Sequence, residues 1–137
     1  MSMLSPTVLL EQVTVLVVDD EEPLRRYITR VMEDAGYHVL TARDGLEGLA
    51  LLAQSRSPIR LVVTDVSMPR MTGPELAARV ATQPHPPPVL FVSGDRGHTD
   101  LPGPLLGKPF LPHELSTLAH WVLHSRAEPC SAGPGAV

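Results

Sequence analysis

Cysteine is almost absent. The single Cys130 among 137 residues cannot form an internal disulfide, and without a partner cluster it makes no zinc site. A reducing, cytoplasmic compartment is therefore expected. Basic charge is scarce as well, with 11 Lys and Arg against 15 Asp and Glu and a formal net charge of −4. Coating nucleic acid takes clustered Lys and Arg, so no nucleic-acid partner is expected. No apolar run approaches the ~20 residues of a membrane helix. Met1 to Gln12 has no basic start and only a short apolar run, Val8-Leu9-Leu10, so neither a membrane span nor a signal peptide is expected.

The apolar share is 43% and the charged share 19%. These values exclude collagen-like, coiled-coil and wholly disordered chains, and the length suits one domain. Proline is in excess: the chain has 15, where ~5% of residues is usual.

Val13 to Val18 is a β-branched run without alternation, as in a strand buried on both faces of a parallel sheet. It stops at Asp19-Asp20-Glu21-Glu22, where Pro23 opens a helix. Leu24, Ile28, Val31, Met32 and Ala35 form its apolar stripe. Arg25, Arg26 and Arg30 read as a solvated face, and Gly36 as the stop. Tyr37 to Ala42 is a second strand. Leu46, Leu49, Ala50, Leu51 and Ala53 fit a short helix. Leu61 to Thr64 is a third strand ending in Asp65, followed by a loop and a helix from Pro74 to about Thr82. His85-Pro86-Pro87-Pro88 is a stiff connector. Val89 to Val92 is a fourth strand ending in Ser93-Gly94, and Leu105 to Gly107 a fifth ending in Lys108-Pro109. A helix from Pro112 to about Ser125 buries Leu115, Leu118, Ala119 and Val122. Trp121, beside that stripe, reads as a partly buried wall residue, with an exposed partner anchor as the alternative. His120 and His124 share a helical face, but no third metal ligand is evident.

Strands alternating with helices imply right-handed βαβ crossovers and a parallel sheet covered on both faces. Asp19-Asp20, Asp65, Ser93 and Lys108 each end a different strand. The carboxyl ends of parallel strands share one edge, where ligands bind. Three carboxylates gathered there repel unless a cation neutralises them, and hard oxygen ligands favour Mg²⁺. Such a site suits phosphoryl transfer, with Asp65 as nucleophile and Lys108 and Ser93 as donors to the phosphoryl oxygens.

Four pieces, taken in order at strand ends, resemble the receiver domains of two-component response regulators. They are Val-Leu-Val-Val-Asp-Asp-Glu (15–21), Thr-Asp-Val-Ser-Met-Pro-Arg-Met-Thr-Gly (64–73), Val-Ser-Gly (92–94) and Lys-Pro-Phe (108–110). The resemblance covers about Gln12 to Ser125. It implies an α/β, flavodoxin-like, doubly wound five-stranded parallel sheet in order 2-1-3-4-5. It makes Asp65 the phosphoacceptor and Asp19 and Asp20 the acidic pair holding Mg²⁺. The Ser67 carbonyl becomes a backbone metal ligand, Ser93 the hydroxyl switch residue and Lys108 the phosphoryl contact before a cis Pro109. The phosphoryl donor would be a histidine kinase or histidine phosphotransfer protein, and the first helix would face it. Residues 1–11 are expected to be a flexible lead, 12–125 the receiver and 126–137 a disordered tail. With no output domain in view, a stand-alone receiver acting on a downstream protein by contact is expected, with no enzymatic role beyond its own phosphorylation and dephosphorylation.

Two features depart from the family. The position three before the lysine, usually aromatic, is Leu105, which has no ring to swing. Between Ser93 and the fifth strand only Gly94 to Gly103 remain, carrying Gly94, Gly97, Pro102 and Gly103, all poor in helix interiors. The family's fourth helix is therefore expected to be shortened or absent. Asp95 and Ser67 sit where side chains could influence attack of water on the phosphoryl group. The main alternative is a phosphorylation-independent binding module with an atypical surface in that region. A phosphatase using an aspartyl-phosphate is disfavoured, because Ser67 stands where its second acid is needed.

Overall fold

The computed structural model describes residues 12–94 and 100–125. Expectations for residues 1–11, for the 126–137 tail with Cys130, and for Asp95 lie outside the described residues. The elements are β1 (Thr14–Val18), α1 (Glu22–Asp34), β2 (His38–Ala42), α2 (Gly45–Gln54), β3 (Ile59–Asp65), α3 (Gly73–Val80), β4 (Val89–Ser93), β5 (Leu105–Gly107) and α4 (Pro112–Ser125). All five strands are parallel, in the order β2-β1-β3-β4-β5.

Alternate residues of the central strands serve opposite faces, as the two-residue strand period requires. Val15, Val17, Leu61, Val63, Leu90 and Val92 pack under α1 and α4, with Ile28, Met32, Leu115 and Ala119. Leu16, Val18 and Val62 pack on the other face with Leu76 and Val80 of α3. The unbroken β-branched runs thus reflect strands buried on both sides. Gly36 follows α1 at φ 102, the left-handed stop that its position suggests.

The short helix expected over Leu46 to Ala53 is present as α2. The helix buries Gly45 and Gly48, while Leu46 is 54% exposed and Ala50 and Ala53 face solvent. The helix rides close to the sheet: a Cβ at Gly48 would press on Val18 at 3.1 Å. Its leucines flank that contact rather than fill it, with Leu49, Leu51 and Leu52 half-buried. Ala35 caps α1 and is exposed, and Leu118 is only half-buried. Trp121 is 49% exposed, so the wall reading gives way to a solvent-facing indole.

The β4-to-β5 crossover bears out the expected loss of a helix. Gly94 and Asp100–Pro104 are non-helical. Three turns take about 11 residues, more than the stretch 95–99 can supply. Its described residues Asp100–Pro104 lie against β4 instead. Leu101 packs against Val66, Ala77 and Phe91, and the Phe91 N–H donates to the Pro104 carbonyl at 2.8 Å. A Cβ at Gly103 would overlap the Val89 carbonyl oxygen, so only glycine permits this approach. Gly103→Ala is expected to cost about 2 kcal/mol, read as a lower urea midpoint at unchanged slope.

Candidate functional site

The site is built where the strands stop. Asp65 ends β3 and Ser93 ends β4, while Asp19 and Lys108 lie one residue beyond β1 and β5. Backbone pairing runs on past the strands and fixes the rim. The Asp19 N–H donates to the Ala42 carbonyl at 3.1 Å, Val66 N–H to Val92 at 3.1 Å, and Lys108 N–H to Ser93 at 2.8 Å. The Lys108–Pro109 peptide is cis.

The loop after β3 folds back on the acid it carries. Met68 and Met71 are buried in the α2/α3 face of the core. The Gly73 N–H donates to the Val66 carbonyl at 2.8 Å, and a Cβ at Gly73 would overlap the Asp65 carbonyl oxygen. Thr72 and Glu75 then close a reciprocal capping box that starts α3 at that point.

Asp19 is fully buried, and Asp65 and Ser93 nearly so. Lys108 Nζ stands 3.3 Å from Asp65 Oδ2, and the Ser67 N–H donates to Asp65 Oδ1 at 3.4 Å. Asp19 Oδ1 accepts from the Glu21 N–H at 2.8 Å, whereas its Oδ2 is buried with no hydrogen-bond partner. Carboxylate oxygens of Asp19, Glu21 and Asp65 lie within 4.8 Å of one another. Asp20 is exposed and outside this trio, and Ser67 is exposed at the rim.

Two residues near the site were not assigned from the sequence. Glu21 joins the acidic trio. Arg25, read as part of a solvated face, is half-buried and its Nη1 donates to the Asp19 carbonyl at 2.9 Å. Its position one turn into α1 was the available signal. Arg26 and Arg30 are solvated, each in an i,i+4 pair, with Glu22 and with Asp34.

Burial pushes the Asp19 carboxyl up to about 6, against the Glu21 N–H that lowers it, with Asp65 raising it further. A buried carboxylate with an unpaired oxygen beside two more acids is the environment a hard divalent cation relieves. The donor set, all oxygen, fits Mg²⁺.

The response regulator receiver domain model matches residues 15–102. The chain belongs to the response regulator receiver family. This receiver is 35% identical over 121 residues to the sensor kinase CckA of Brucella abortus, covering 82% of this chain and 13% of that protein. It is 36% identical over 81 residues to the response regulator receiver protein CpdR of Brucella abortus, covering 58% and 65%. Among solved structures, the chemotaxis response regulator CheY4 of Vibrio cholerae aligns at TM-score 0.69 and 32% identity, over 81% of this chain and 98% of that one. The receiver spans less than two thirds of the length of these curated relatives. Two-component signalling is its class, and no helix among the described residues is long and apolar enough to cross a membrane.

The raised Asp19 pKa sets a pH dependence of the metal-free protein. A carboxyl raised from 3.8 to about 6 on folding contributes stability below 3.8 that is lost as pH climbs to about 6. The loss is on the order of 1 kcal/mol. In EDTA, Asp19→Asn is expected to melt about 4 °C higher than the parent at pH 7.5, with the gap nearly closed at pH 4. Thermal melts at the two pH values check both points.

Proposed function

We propose that Asp65 accepts a phosphoryl group from the phosphohistidine of a histidine kinase or histidine phosphotransfer protein. The observation that carries this reading is the Lys108 Nζ to Asp65 Oδ2 distance of 3.3 Å beside the unpartnered Asp19 Oδ2. An Asp65 oxygen attacks phosphorus, the P–N bond breaks, and the donor imidazole leaves with its electron pair. Lys108 follows Asp65 Oδ2 into the product, where its ammonium offsets the charge of the acyl phosphate. Ser93, at the end of the neighbouring strand, offers a hydroxyl to an equatorial oxygen.

Asp19 and Asp65 would hold Mg²⁺, with Asp20 and the Ser67 carbonyl as further ligands at the rim. When bound, the ion screens the acids from the incoming anionic group and orients its oxygens.

The phosphorylated domain acts on a downstream protein by contact, as a stand-alone receiver in the cytoplasm. Leu105 packs beside Phe91 and has no ring to rotate. The surface change therefore arises on the β4-to-β5 side rather than in an aromatic swing. That same crossover favours a second reading, a binding module that has ceased to use phosphorylation.

Incubation with acetyl phosphate and Mg²⁺ followed by intact-mass analysis separates the readings. One stable phosphoryl addition, absent in Asp65→Asn, supports the receiver. Steady release of phosphate marks a phosphatase, and no reaction marks the binding module. Lys108→Ala is expected to slow the addition about 100-fold.

A further inference from the structure

Glu21 occupies the N-cap of α1, a position that favours Ser, Thr, Asp and Asn because a short side chain can accept from the first free N–H groups. Its backbone is extended, as a cap requires, at φ −93 and ψ 113. Its side chain makes no cap hydrogen bond. The other caps recorded for this fold do so: Asp44 accepts from Glu47 N–H at 2.8 Å, and Thr72 from Glu75 N–H at 3.2 Å. Glu21 thus leaves the helix start without side-chain help. Its carboxylate instead lies within 4.8 Å of those of Asp19 and Asp65.

Three like charges gathered this closely are unfavourable by themselves. Asp19 supplies the independent sign of a missing ligand, since it is fully buried and its Oδ2 has no partner. The backbone around Glu21 is fixed on both sides. Its N–H donates to Asp19 Oδ1, its carbonyl accepts from the Arg25 N–H at 2.9 Å, and the Arg25 guanidinium holds the Asp19 carbonyl. This clamp keeps Glu21 and Asp19 in fixed relation at the crevice mouth.

We infer that Glu21 is a further carboxylate ligand of the divalent-cation site, and that it has given up helix capping for this role. The inference rests on the Mg²⁺ reading above and adds to it a residue outside the expected acidic pair. A glutamate reaches the crevice from the cap position, and its flexible stem lets it follow the ion as the oxygen shell rearranges around a phosphoryl group. The extra negative charge also raises affinity for the cation.

Isothermal titration with MgCl₂ at pH 7.5 tests this directly. Glu21→Gln is expected to weaken binding about tenfold. Glu22→Gln changes the charge next door, at a residue exposed and paired with Arg26, and is expected to shift affinity less than twofold. Equal small effects of the two variants would overturn the ligand role and leave only a long-range field. Glu21→Asp provides a fold-independent arm. As a better cap it is expected to raise the melting temperature in EDTA by a few degrees while weakening Mg²⁺ binding. A higher melting temperature with full parental affinity would also overturn the proposal. Absence of Mg²⁺ binding by the parent protein, with Asp19→Asn unchanged, would remove the metal reading itself and this inference with it.

Discussion

A carboxylate withdrawn from water, one oxygen left without a partner, governs the carboxyl edge of this sheet. Asp19 is fully buried and sits close to Asp65, itself 7% exposed. Such a pair stands only with compensation at hand. Lys108 supplies part of it through Asp65 Oδ2, and the Glu21 N–H another part through Asp19 Oδ1. The remaining oxygen is satisfied by nothing within the described protein. Charge is thus stored at one rim in a form that a cation and a phosphoryl group can resolve together. The raised pKa of Asp19 expresses the same deficit in terms of protons.

The fold tolerates this strain because everything beneath the rim is dry and regular. The inner halves of β1, β3 and β4 are apolar on both faces. Hydrogen bonds that continue one residue past β1, β3 and β5 carry that regularity to the acids and the lysine. Gly73 then brings the returning loop against the Asp65 carbonyl, where a side chain would collide. Position at a strand end, rather than any loop of its own, aims each group. This is the general economy of open parallel sheets.

That economy also explains which parts were legible in the sequence. Runs such as Val15-Leu16-Val17-Val18 and Leu61-Val62-Val63 have no alternation to misread, and each ends in a polar residue that could only lie at the edge. The strand order, the four site stations and the lost crossover helix follow from such local patterns. The failures share a cause as well. Leu46, Ala50 and Ala53 obey helical spacing, yet α2 meets the sheet through Gly48 and Met71 through Gly45, and periodicity gives no weight to a missing side chain. Trp121 is too large to read as exposed from hydropathy. Glu21 and Arg25 act through geometry at the first turn of α1, where the chain direction decides which neighbour faces the crevice. A compositional signal lay unused too: Lys108 is the sole lysine among 11 basic residues. Where arginine serves everywhere else, a compact ammonium at one strand end marks a point-charge role.

The reduced side of the molecule bears on how the rim is read by others. Ser93 is joined to Lys108 by a backbone bond, and Phe91 to Pro104 by another. Gly103 lies against Val89, and Leu105 and Leu101 close over Phe91. With no helix standing between β4 and β5 among the described residues, displacement of Ser93 has few places to go. Its strand passes it to the described end of the crossover, held by the close approach of Gly103 to Val89 and by the half-buried Leu101 and Leu105. A stacked helix would absorb such a shift by sliding on its apolar face. The stretch Asp100–Pro104 has no such helical face, and Gly103 lies directly against the Val89 carbonyl oxygen. The polar groups are thus gathered at one rim, and what joins that rim to the described part of the crossover is β4, β5 and the residues that bridge them.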